Sequence, residues 1–284
     1  MVAPAPRVVA FCADDVGLVA GVADTVIALA AAGRLAAASC VSGGGVWHGE
    51  GHALAVATRG LTGFGLGLHF NLTEGTPLSP DLARLWPSFP GLATLIAKAH
   101  LGLLPVAALA SEWRAQLDAF TDVVGKAPGH VDGHQHVHHL PQVREVVLTG
   151  IDGAAARQAV AVRNTGHVVG TPFAFKRCVI EATGGRALAR ELDRRGLRRN
   201  AALLGVYDFR AADYRALMRG WLADAPATGG LVFCHPCAAG AAANDPIAAA
   251  RRREATYLSS AAFADDLAEA QFSVGAAWQS SSDD

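Results

Sequence analysis

Five of the chain's eleven histidines lie between His130 and His139, with one carboxylate, Asp132, among them. Imidazole and carboxylate are the side chains that most often bind divalent metals at neutral pH. A solvated polar loop is the alternative interpretation, but histidine clusters without a metal or catalytic role are uncommon. The segment therefore predicts a functional site. The members whose roles stay open are His130, His136, His138 and His139.

The spacing within the cluster limits how many of its members can share one ion. On an extended strand, His130, Asp132 and His134 would share one face, about 6 to 7 Å apart, which is too far for two neighbours to hold one ion without a bend. Gly133 could supply that bend, and a helical turn after it would place His134 and His138 on one side, at i and i+4. We therefore expect other segments to contribute ligands.

Two aspartates follow an apolar run near the start of the chain. Asp14 and Asp15 come directly after Val8–Cys12, and Gly17 permits a turn behind them. Adjacent carboxylates on a strand point in different directions, so one could bind a metal while the other acts as a base. Capping of a helix that begins near Val19 is an equally good interpretation of this pair taken alone.

A histidine and several polar residues end the third apolar run. His69 lies on the strand predicted at Gly65–Leu72, where a single histidine is more often a hydrogen-bonded core residue. Asn71 and Glu74 follow on the loop and are candidates for contact with a substrate, although loop polarity alone would explain them.

The segment Cys234-His-Pro-Cys237 comes directly after the apolar run Leu231-Val-Phe233, at the carboxyl end of another predicted strand. A strand followed by C-x-x-C is a redox pattern, but that interpretation leaves the other polar clusters unexplained. A zinc ribbon would require a second C-x-x-C, which the chain lacks. His235 is therefore the functional candidate of this segment, as a proton donor.

These side chains need elements that bring them together. Short apolar runs alternate with longer segments of helical period, which is typical of repeated βα units around a parallel sheet. The predicted strands are Arg7–Cys12, Ala37–Val41, Gly65–Leu72, Gly129–Asp132, Val160–Arg163, Ala202–Tyr207, Gly230–Cys234 and Phe272–Ala276. The predicted helices are Val19–Ala32, Gly51–Arg59, Val106–Val124, Pro141–Leu148, Arg186–Arg195, Ala211–Ala223 and Ser259–Ala270.

The chemistry-bearing segments all fall at, or just past, the carboxyl ends of predicted strands. In a parallel (β/α) barrel those ends face one mouth, so residues that are distant in sequence converge there. We therefore predict an α/β fold, a single-domain TIM-barrel-like domain over residues 1–278, with a disordered tail at 279–284. The stretch Thr73–Pro90 has the length of a lid or binding loop, and the Ala/Gly tract Ala238–Asp245 is predicted to be mobile.

The composition favours a small substrate over a macromolecular one. The chain has 284 residues, of which 51% are hydrophobic, and a net charge of −1, which gives no electrostatic footprint for nucleic acid or an acidic membrane. The longest apolar stretch, Ala20–Ala38, is interrupted by Asp24 and Arg34, so we predict no membrane span. Five scattered cysteines and an N-terminus without a signal-peptide pattern predict a reducing, cytoplasmic location.

Four motifs together resemble those of the YdjC-like carbohydrate deacetylases, a family that includes chitooligosaccharide deacetylases and hopanoid-associated deacetylases. In chain order they are Ala13-Asp-Asp-Val-Gly17, Gly67-Leu-His-Phe-Asn-Leu-Thr-Glu-Gly75, His130-Val-Asp-Gly-His-Gln-His-Val-His138 and Cys234-His-Pro236. The resemblance implies a distorted (β/α) barrel, one divalent metal, a homodimer, and removal of an acetyl group from an N-acetylated sugar.

The resemblance also implies roles for individual residues. Asp15, His69 and His134 match the metal ligands of the family. Asp14 matches its general base, and His235 matches a histidine proposed as general acid. Substrate contacts are expected from Arg163, which resembles a family arginine near the site, and from Asn71, Glu74 and His138. Val16 replaces the usual Phe and Cys237 the usual Gly, which puts the identity of the substrate in doubt.

The ion and the reaction stay open at this point. Two imidazoles and a carboxylate suit Zn²⁺, Mn²⁺ or Fe²⁺, whereas the family resemblance implies Mg²⁺, which prefers oxygen ligands. Our hypothesis is attack of a metal-bound water on the acetamide, with Asp14 accepting a proton and His235 protonating the amine. The alternatives are a metal-dependent phosphoesterase or other amidohydrolase, and a dithiol redox protein that uses Cys234 and Cys237.

Overall fold

A curled parallel sheet forms the centre of the computed structural model, which describes residues 7–152, 160–238, 245–276 and 278. Its strands are β1 (Arg7–Val16), β2 (Ala37–Cys40), β3 (Gly65–Phe70), β4 (His130–Gly133), β5 (Ala161–Val162), β6 (Leu203–Leu204), β7 (Leu231–Cys234) and β8 (Phe272–Val274). Seven of them follow the order β5-β4-β3-β2-β1-β7-β6, and β8 pairs with the first residues of β1. Every ladder among them is parallel.

The two outer strands of the sheet approach each other along a seam. Within the described residues, β5 and β6 share no ladder, but isolated bridges join Val162 to Arg199 and Val168 to Leu203. A backbone hydrogen bond of 2.9 Å from Val162 N to Arg198 O crosses the same seam. The sheet is thus a distorted (β/α) barrel with an incompletely closed seam, and the predicted fold class is confirmed.

Helices accompany the sheet along the chain. Within the described ranges they are α1 (Val22–Ala31), α2 (Trp47–Ala57), α3 (Pro80–Ala83), α4 (Leu92–His100), α5 (Val106–Val124), α6 (Val143–Gly150), α7 (Ala174–Ile180), α8 (Arg186–Arg195), α9 (Tyr214–Asp224), α10 (Ala248–Ser259) and α11 (Ala261–Glu269). A 3₁₀ helix covers His134–His139, and a π-helical turn, Glu181–Gly185, joins α7 to α8. None of these helices is long and apolar enough to cross a membrane.

Alternate side chains of β1 enter two different apolar clusters. Val9 and Phe11 pack in the large cluster that includes the buried faces of the helices. Ala10 and Cys12 belong to a smaller cluster formed mainly by strand residues such as Leu203. Because successive strand residues point to opposite faces, the smaller cluster fills the inside of the curled sheet.

All eight predicted strands are present, although β5 and β6 are only two residues long. Helices α5 and α8 have the predicted bounds. The predictions miss α3, α4, α7 and α10, because α3 and α7 are short and α10 opens on three alanines and three arginines that carry no apolar period. The tail 279–284 and residues 239–244 of the Ala/Gly tract lie outside the described residues, and the single domain over 1–278 stays a prediction.

The proline-rich stretch Thr73–Pro90 is attached to helix α5. The backbone N–H groups of Leu78 and Ser79 donate to the buried carboxylate of Glu112 at 3.0 and 2.7 Å. Leu82 of this stretch is fully buried. These bonds fix the base of the stretch, whose predicted role as a lid or binding loop stays a prediction.

Candidate metal centre and active site

Asp14 and Asp15 occupy an irregularity at the carboxyl end of β1. The pairing register with β2 shifts between Ala13 and Val16, and Asp15 has a φ of 70°. An extra residue in a strand interrupts the alternation of side chains, so both carboxylates border the same cavity. The two carboxylates contact different partners, Arg163 for Asp14 and His134 for Asp15.

Asp15, His69 and His134 form a buried cluster of metal-ligand type. Oδ1 of Asp15 lies 3.5 Å from Nε2 of His69 and 2.9 Å from Nδ1 of His134. The candidate ligand atoms of the three residues all lie within 4.8 Å of one another. Asp15 lies at the end of β1, His69 near the end of β3 and His134 in the 3₁₀ helix after β4, so the carboxyl ends of three parallel strands bring the three predicted ligands together.

Each histidine of this cluster has its second nitrogen against a further carboxylate. Nδ1 of His69 lies 2.6 Å from Oδ1 of Asp132, and Nε2 of His134 lies 3.0 Å from Oε1 of Glu74. A carboxylate can only accept, so each ring donates to it and turns its other nitrogen towards Asp15. Metal-binding histidines are typically oriented in this way by an outer carboxylate.

The same carboxylates raise the pKa of both imidazoles. Burial by itself would lower the pKa of His69, but Asp132 and Asp14 outweigh it and raise that pKa to about 10. Burial is likewise outweighed at His134, where Asp15 raises the pKa to about 9. The site therefore stabilises positive charge, as a cation-binding site must.

Arg251 holds the outer oxygen of Asp15, a role that was not predicted from the sequence. Its Nη2 donates to Oδ2 of Asp15 at 2.8 Å, and its Nε donates to Asp245 at the same distance. Burial would raise the pKa of Asp15, but His134 and Arg251 hold it well below its usual range. The only signal in the sequence was a run of three arginines on α10, which more often marks a solvated helix face.

Arg163 holds Asp14 from inside the sheet. It donates to both oxygens of Asp14, at 2.7 and 2.6 Å, and its Nη2 also lies 2.5 Å from Oδ2 of Asp132. Such bidentate pairing fixes both the position and the plane of a carboxylate. Arg163 is fully buried behind the cavity wall, so the expected substrate contact is corrected to a contact with Asp14.

His235 borders the cavity just past β7 and has a buried carboxylate behind it. The backbone N–H of His235 and the hydroxyl of Tyr207 both donate to Glu254, whose Oε1 lies 3.9 Å from Nδ1 of His235. The rings of Phe209 and Phe233 stand edge-on to the imidazole, with centroids 5.1 and 5.6 Å away. Glu254 was not predicted, because it lies on α10, a helix that the sequence pattern did not indicate.

The bend in the histidine cluster falls later than expected. It lies at Gln135 and His136, whose φ angles are 53° and 63°, and not at Gly133. His138 therefore turns away from the cavity, and its Nε2 donates to the backbone oxygen of Arg163 at 2.9 Å. Burial lowers the pKa of His138 to about 4, so the neutral ring is a structural support, and the expected substrate contact is wrong.

Two more histidines of the cluster lie side by side. His136 borders the cavity and stands edge-on to Phe233, with ring centroids 5.3 Å apart. His139 is buried, and its Nδ1 lies 2.9 Å from the hydroxyl of Thr165. Only His136 of this pair could meet a substrate.

Asn71 and Glu74 have different places on the loop after β3. The side chain of Asn71 is buried, donates to the backbone oxygen of Glu74 at 2.7 Å and accepts from the backbone N–H of Thr73 at 3.1 Å. Asn71 therefore shapes the loop, which corrects the expected substrate contact. Glu74 borders the cavity beside His134, where a substrate could reach it.

The two cysteines of the C-x-x-C segment are buried, reduced thiols. The thiol of Cys234 donates to the backbone oxygen of Cys12 at 3.4 Å. Burial raises the pKa of both Cys234 and Cys237, whereas a reactive dithiol needs a lowered pKa. These surroundings argue against the redox alternative.

The cavity that joins these groups has a volume of about 630 Å³, within the usual range for small-molecule sites. Asp14, Asp15, His69, His134 and His235 all border it. Its remaining wall is largely apolar and includes side chains such as Leu18, Val46, Leu92, Ile180, Phe209 and Phe233. The arrangement can bind a small molecule beside a cation, with one carboxylate and one imidazole free to exchange protons with it.

Comparison with known sequences gives a family match over most of the chain. The model of a family described as YdjC-like protein matches residues 8–269. A chitooligosaccharide deacetylase of Enterobacter sp. (strain 638) is 35% identical over 159 residues, which are 53% of this chain and 56% of that protein. A carbohydrate deacetylase of Danio rerio is 43% identical over 86 residues, 28% of each chain. The chain thus spans about half the length, or less, of these curated relatives.

Comparison with solved structures supports the fold. A crystal structure from Enterococcus faecalis V583, provisionally described as a cellobiose-phosphate cleavage protein, superposes with a TM-score of 0.67. The match covers 95% of this chain and 97% of that chain at 17% sequence identity. At this identity the match shows a common fold and nothing about the reaction.

Proposed function

Because this chain belongs to the YdjC-like family, we propose that it is a metal-dependent hydrolase that removes the acetyl group from an N-acetylated sugar. The observation that carries the proposal is the cluster of Asp15, His69 and His134, which shares one cavity with Asp14 and His235. The names of the curated relatives support a sugar substrate. The cavity supports a small one.

The donor set fits one divalent ion. Asp15, His69 and His134 would hold it, since each histidine turns one nitrogen towards Asp15 and has an outer carboxylate on the other. The nitrogen donors favour Zn²⁺, Mn²⁺ or Fe²⁺, while the family resemblance favours Mg²⁺. When bound, the ion would supply Lewis-acid polarisation and acidify a water molecule.

Asp14 would be the general base. It borders the cavity beside Asp15, and the bidentate contact with Arg163 fixes the plane of its carboxylate. A base must lie within hydrogen-bond reach of the proton that it accepts, so this fixed orientation serves proton transfer from the attacking water.

His235 would be the general acid. When water adds to the acetamide carbonyl, the C–N bond breaks only if the departing nitrogen receives a proton. His235 would supply that proton, and Glu254 lies behind its ring with Oε1 at 3.9 Å from Nδ1. The products are acetate and a free amino sugar.

An assay of released products tests the proposal against its nearest alternatives. Purified protein loaded with each of Mg²⁺, Mn²⁺ and Zn²⁺ would be incubated with N-acetylglucosamine, di-N-acetylchitobiose and phosphomonoesters of both. We expect acetate and no phosphate. Phosphate release without acetate would favour a phosphoesterase. Loss of all hydrolysis in a Cys234→Ser/Cys237→Ser variant would favour a catalytic role for the two thiols.

The quaternary state and the location belong to the proposal as well. The family resemblance supports a homodimer, which analytical ultracentrifugation would distinguish from a monomer. A reducing compartment such as the cytoplasm is proposed from the sequence, whose five scattered cysteines do not form the pattern of a disulfide framework. Fractionation of cells that express the protein would test the location.

A further inference from the structure

Polar side chains lie inside the curled sheet, next to the candidate metal site formed by Asp15, His69 and His134. Barrels of parallel strands are usually filled there by branched apolar residues. Here Cys12, Ser39 and His130, from β1, β2 and β4, meet in one layer, and all three are fully buried. A buried polar layer is costly unless its hydrogen bonds are made, so its bonds indicate what it is for.

Those bonds form a chain with a defined direction. The hydroxyl of Ser39 donates to Oδ2 of Asp132 at 2.6 Å. Having given up its only proton, Ser39 must accept the bond of 2.9 Å from Nε2 of His130. Oδ1 of the same carboxylate accepts from His69 at 2.6 Å. The chain therefore runs from His130 through Ser39 and Asp132 to His69.

The fold leaves space for the His130 ring, the first member of this series of hydrogen bonds. A Cβ atom at Gly67 of β3 would lie 2.3 Å from Nε2 of His130, so only glycine admits the imidazole at this place. Burial lowers the pKa of His130 to about 4, and the ring is neutral at pH 7. The neutral His130 ring donates to Ser39 and so directs the Ser39 hydroxyl towards Asp132, without placing a further charge near the candidate metal site.

We propose that Ser39 and His130 are positioning residues that orient the metal ligand His69 through Asp132. The inference rests on the proposed metal site and adds two residues that act on it from the inside of the sheet. Asp132 must keep one oxygen on His69, and Ser39 and Arg163 hold the other oxygen in place. Loss of a direct hydrogen-bond partner of a metal ligand, as Asp132 is of His69, typically weakens metal binding about 10- to 100-fold, and loss of a residue that only orients Asp132 should cost less.

Metal affinity measured with three variants tests the inference. Zn²⁺ would be titrated against a chelator of known affinity into wild type, Ser39→Ala, His130→Phe and the double variant. We expect a loss of about three- to tenfold for Ser39→Ala, whose bond to Asp132 is one step removed from His69, and a smaller loss for His130→Phe. Because the two residues act in series, the double variant should bind Zn²⁺ no more weakly than Ser39→Ala alone, whereas independent packing defects would add.

Two controls separate positioning from general damage. Val168→Ala opens space in the same interior cluster without touching the chain, and should keep wild-type affinity despite a lowered melting temperature. Ser39→Thr keeps the hydroxyl and should retain most of the Zn²⁺ affinity. This variant tests the inference even if Ser39→Ala folds poorly. Affinity within twofold of wild type in both Ser39→Ala and His130→Phe would overturn the inference, as would a wild type that binds no Zn²⁺. A wild type that binds Zn²⁺ but releases no acetate would instead contradict the proposed function and leave the inference standing.

Discussion

At the scale of single residues, each group proposed to bind the ion or transfer a proton has a charged side chain beside it. Arg163 grips Asp14, Arg251 grips Asp15, and Glu254 lies behind His235. The reacting residues stand in recognisable motifs, and their types alone suggested their chemistry. Arg251 and Glu254 could not be predicted, because one turn of α10 brings them to the site from more than 200 residues beyond Asp15.

Replacement of Asp14 by Asn should separate catalysis from metal binding. Asparagine keeps the size of the side chain but cannot accept a proton at neutral pH, so kcat should fall roughly 10²- to 10⁴-fold. Metal affinity, measured by calorimetry, should stay close to wild type, whereas the matched variant Asp15→Asn should lose it. A near-normal kcat for Asp14→Asn would assign the base to another group.

Glu254→Gln should act on the proton donated by His235. Without the carboxylate that lies 3.9 Å from its Nδ1, His235 should donate its proton less effectively, so kcat should fall roughly tenfold. Tyr207→Phe is the matched control, because it removes one hydrogen bond to Glu254 and leaves the charge in place. An unchanged kcat in Glu254→Gln, or an equal fall of kcat in Tyr207→Phe, would exclude this role.

Metal binding should release protons at neutral pH. The pKa values of about 10 for His69 and about 9 for His134 lie above the ordinary value of 6.5, so both rings are protonated at pH 7 before an ion displaces a proton from each. Metal affinity should therefore rise about 100-fold per pH unit between pH 6.5 and 8. The raised pKa values also stabilise the metal-free folded state. This contribution to stability is fully present below pH 6.5 and is lost as the pH rises through the folded-state pKa values of about 9 and about 10. Calorimetry in buffers of different ionisation enthalpy measures the released protons, and a count near zero would contradict the assignment.

At the scale of elements, local irregularities place the site. Regular alternation predicts neither the shifted register at Asp15 nor the sharp bend at Gln135. The strands, the carboxyl-end position of every motif, and helices α5 and α8 follow from apolar periodicity, which the sequence carries explicitly. The irregular turns depend on contacts between segments, so a single sequence does not reveal them.

The glycine in the middle of β3 offers a test at this scale. Gly67→Ala would place a Cβ atom within 2.3 Å of the His130 ring and should cost about 1–3 kcal/mol of unfolding free energy. Gly65→Ala on the same strand meets no atom within 4 Å and should change stability by less than about 1 kcal/mol. Urea denaturation compares the two, and equal losses would show that the His130 ring does not need the space.

At the scale of the whole molecule, the curled sheet converts distant motifs into one site. The motif residues that meet in the cavity range from Asp14 to His235, and the carboxyl ends of the parallel strands bring them to one edge. This convergence could be predicted from the position of each motif at the end of a predicted parallel strand. The incomplete seam between β5 and β6 could not, because both strands are only two residues long and meet through isolated bridges.

The most direct test of the central claim is acetate release from an N-acetylated sugar while a divalent ion is titrated into chelator-treated protein. We expect no acetate before the ion is added. The rate of acetate release should then reach its plateau at about one equivalent of ion per chain, in keeping with a single three-ligand site. Acetate release that is unaffected by chelation, or none from the fully loaded protein, would contradict the claim.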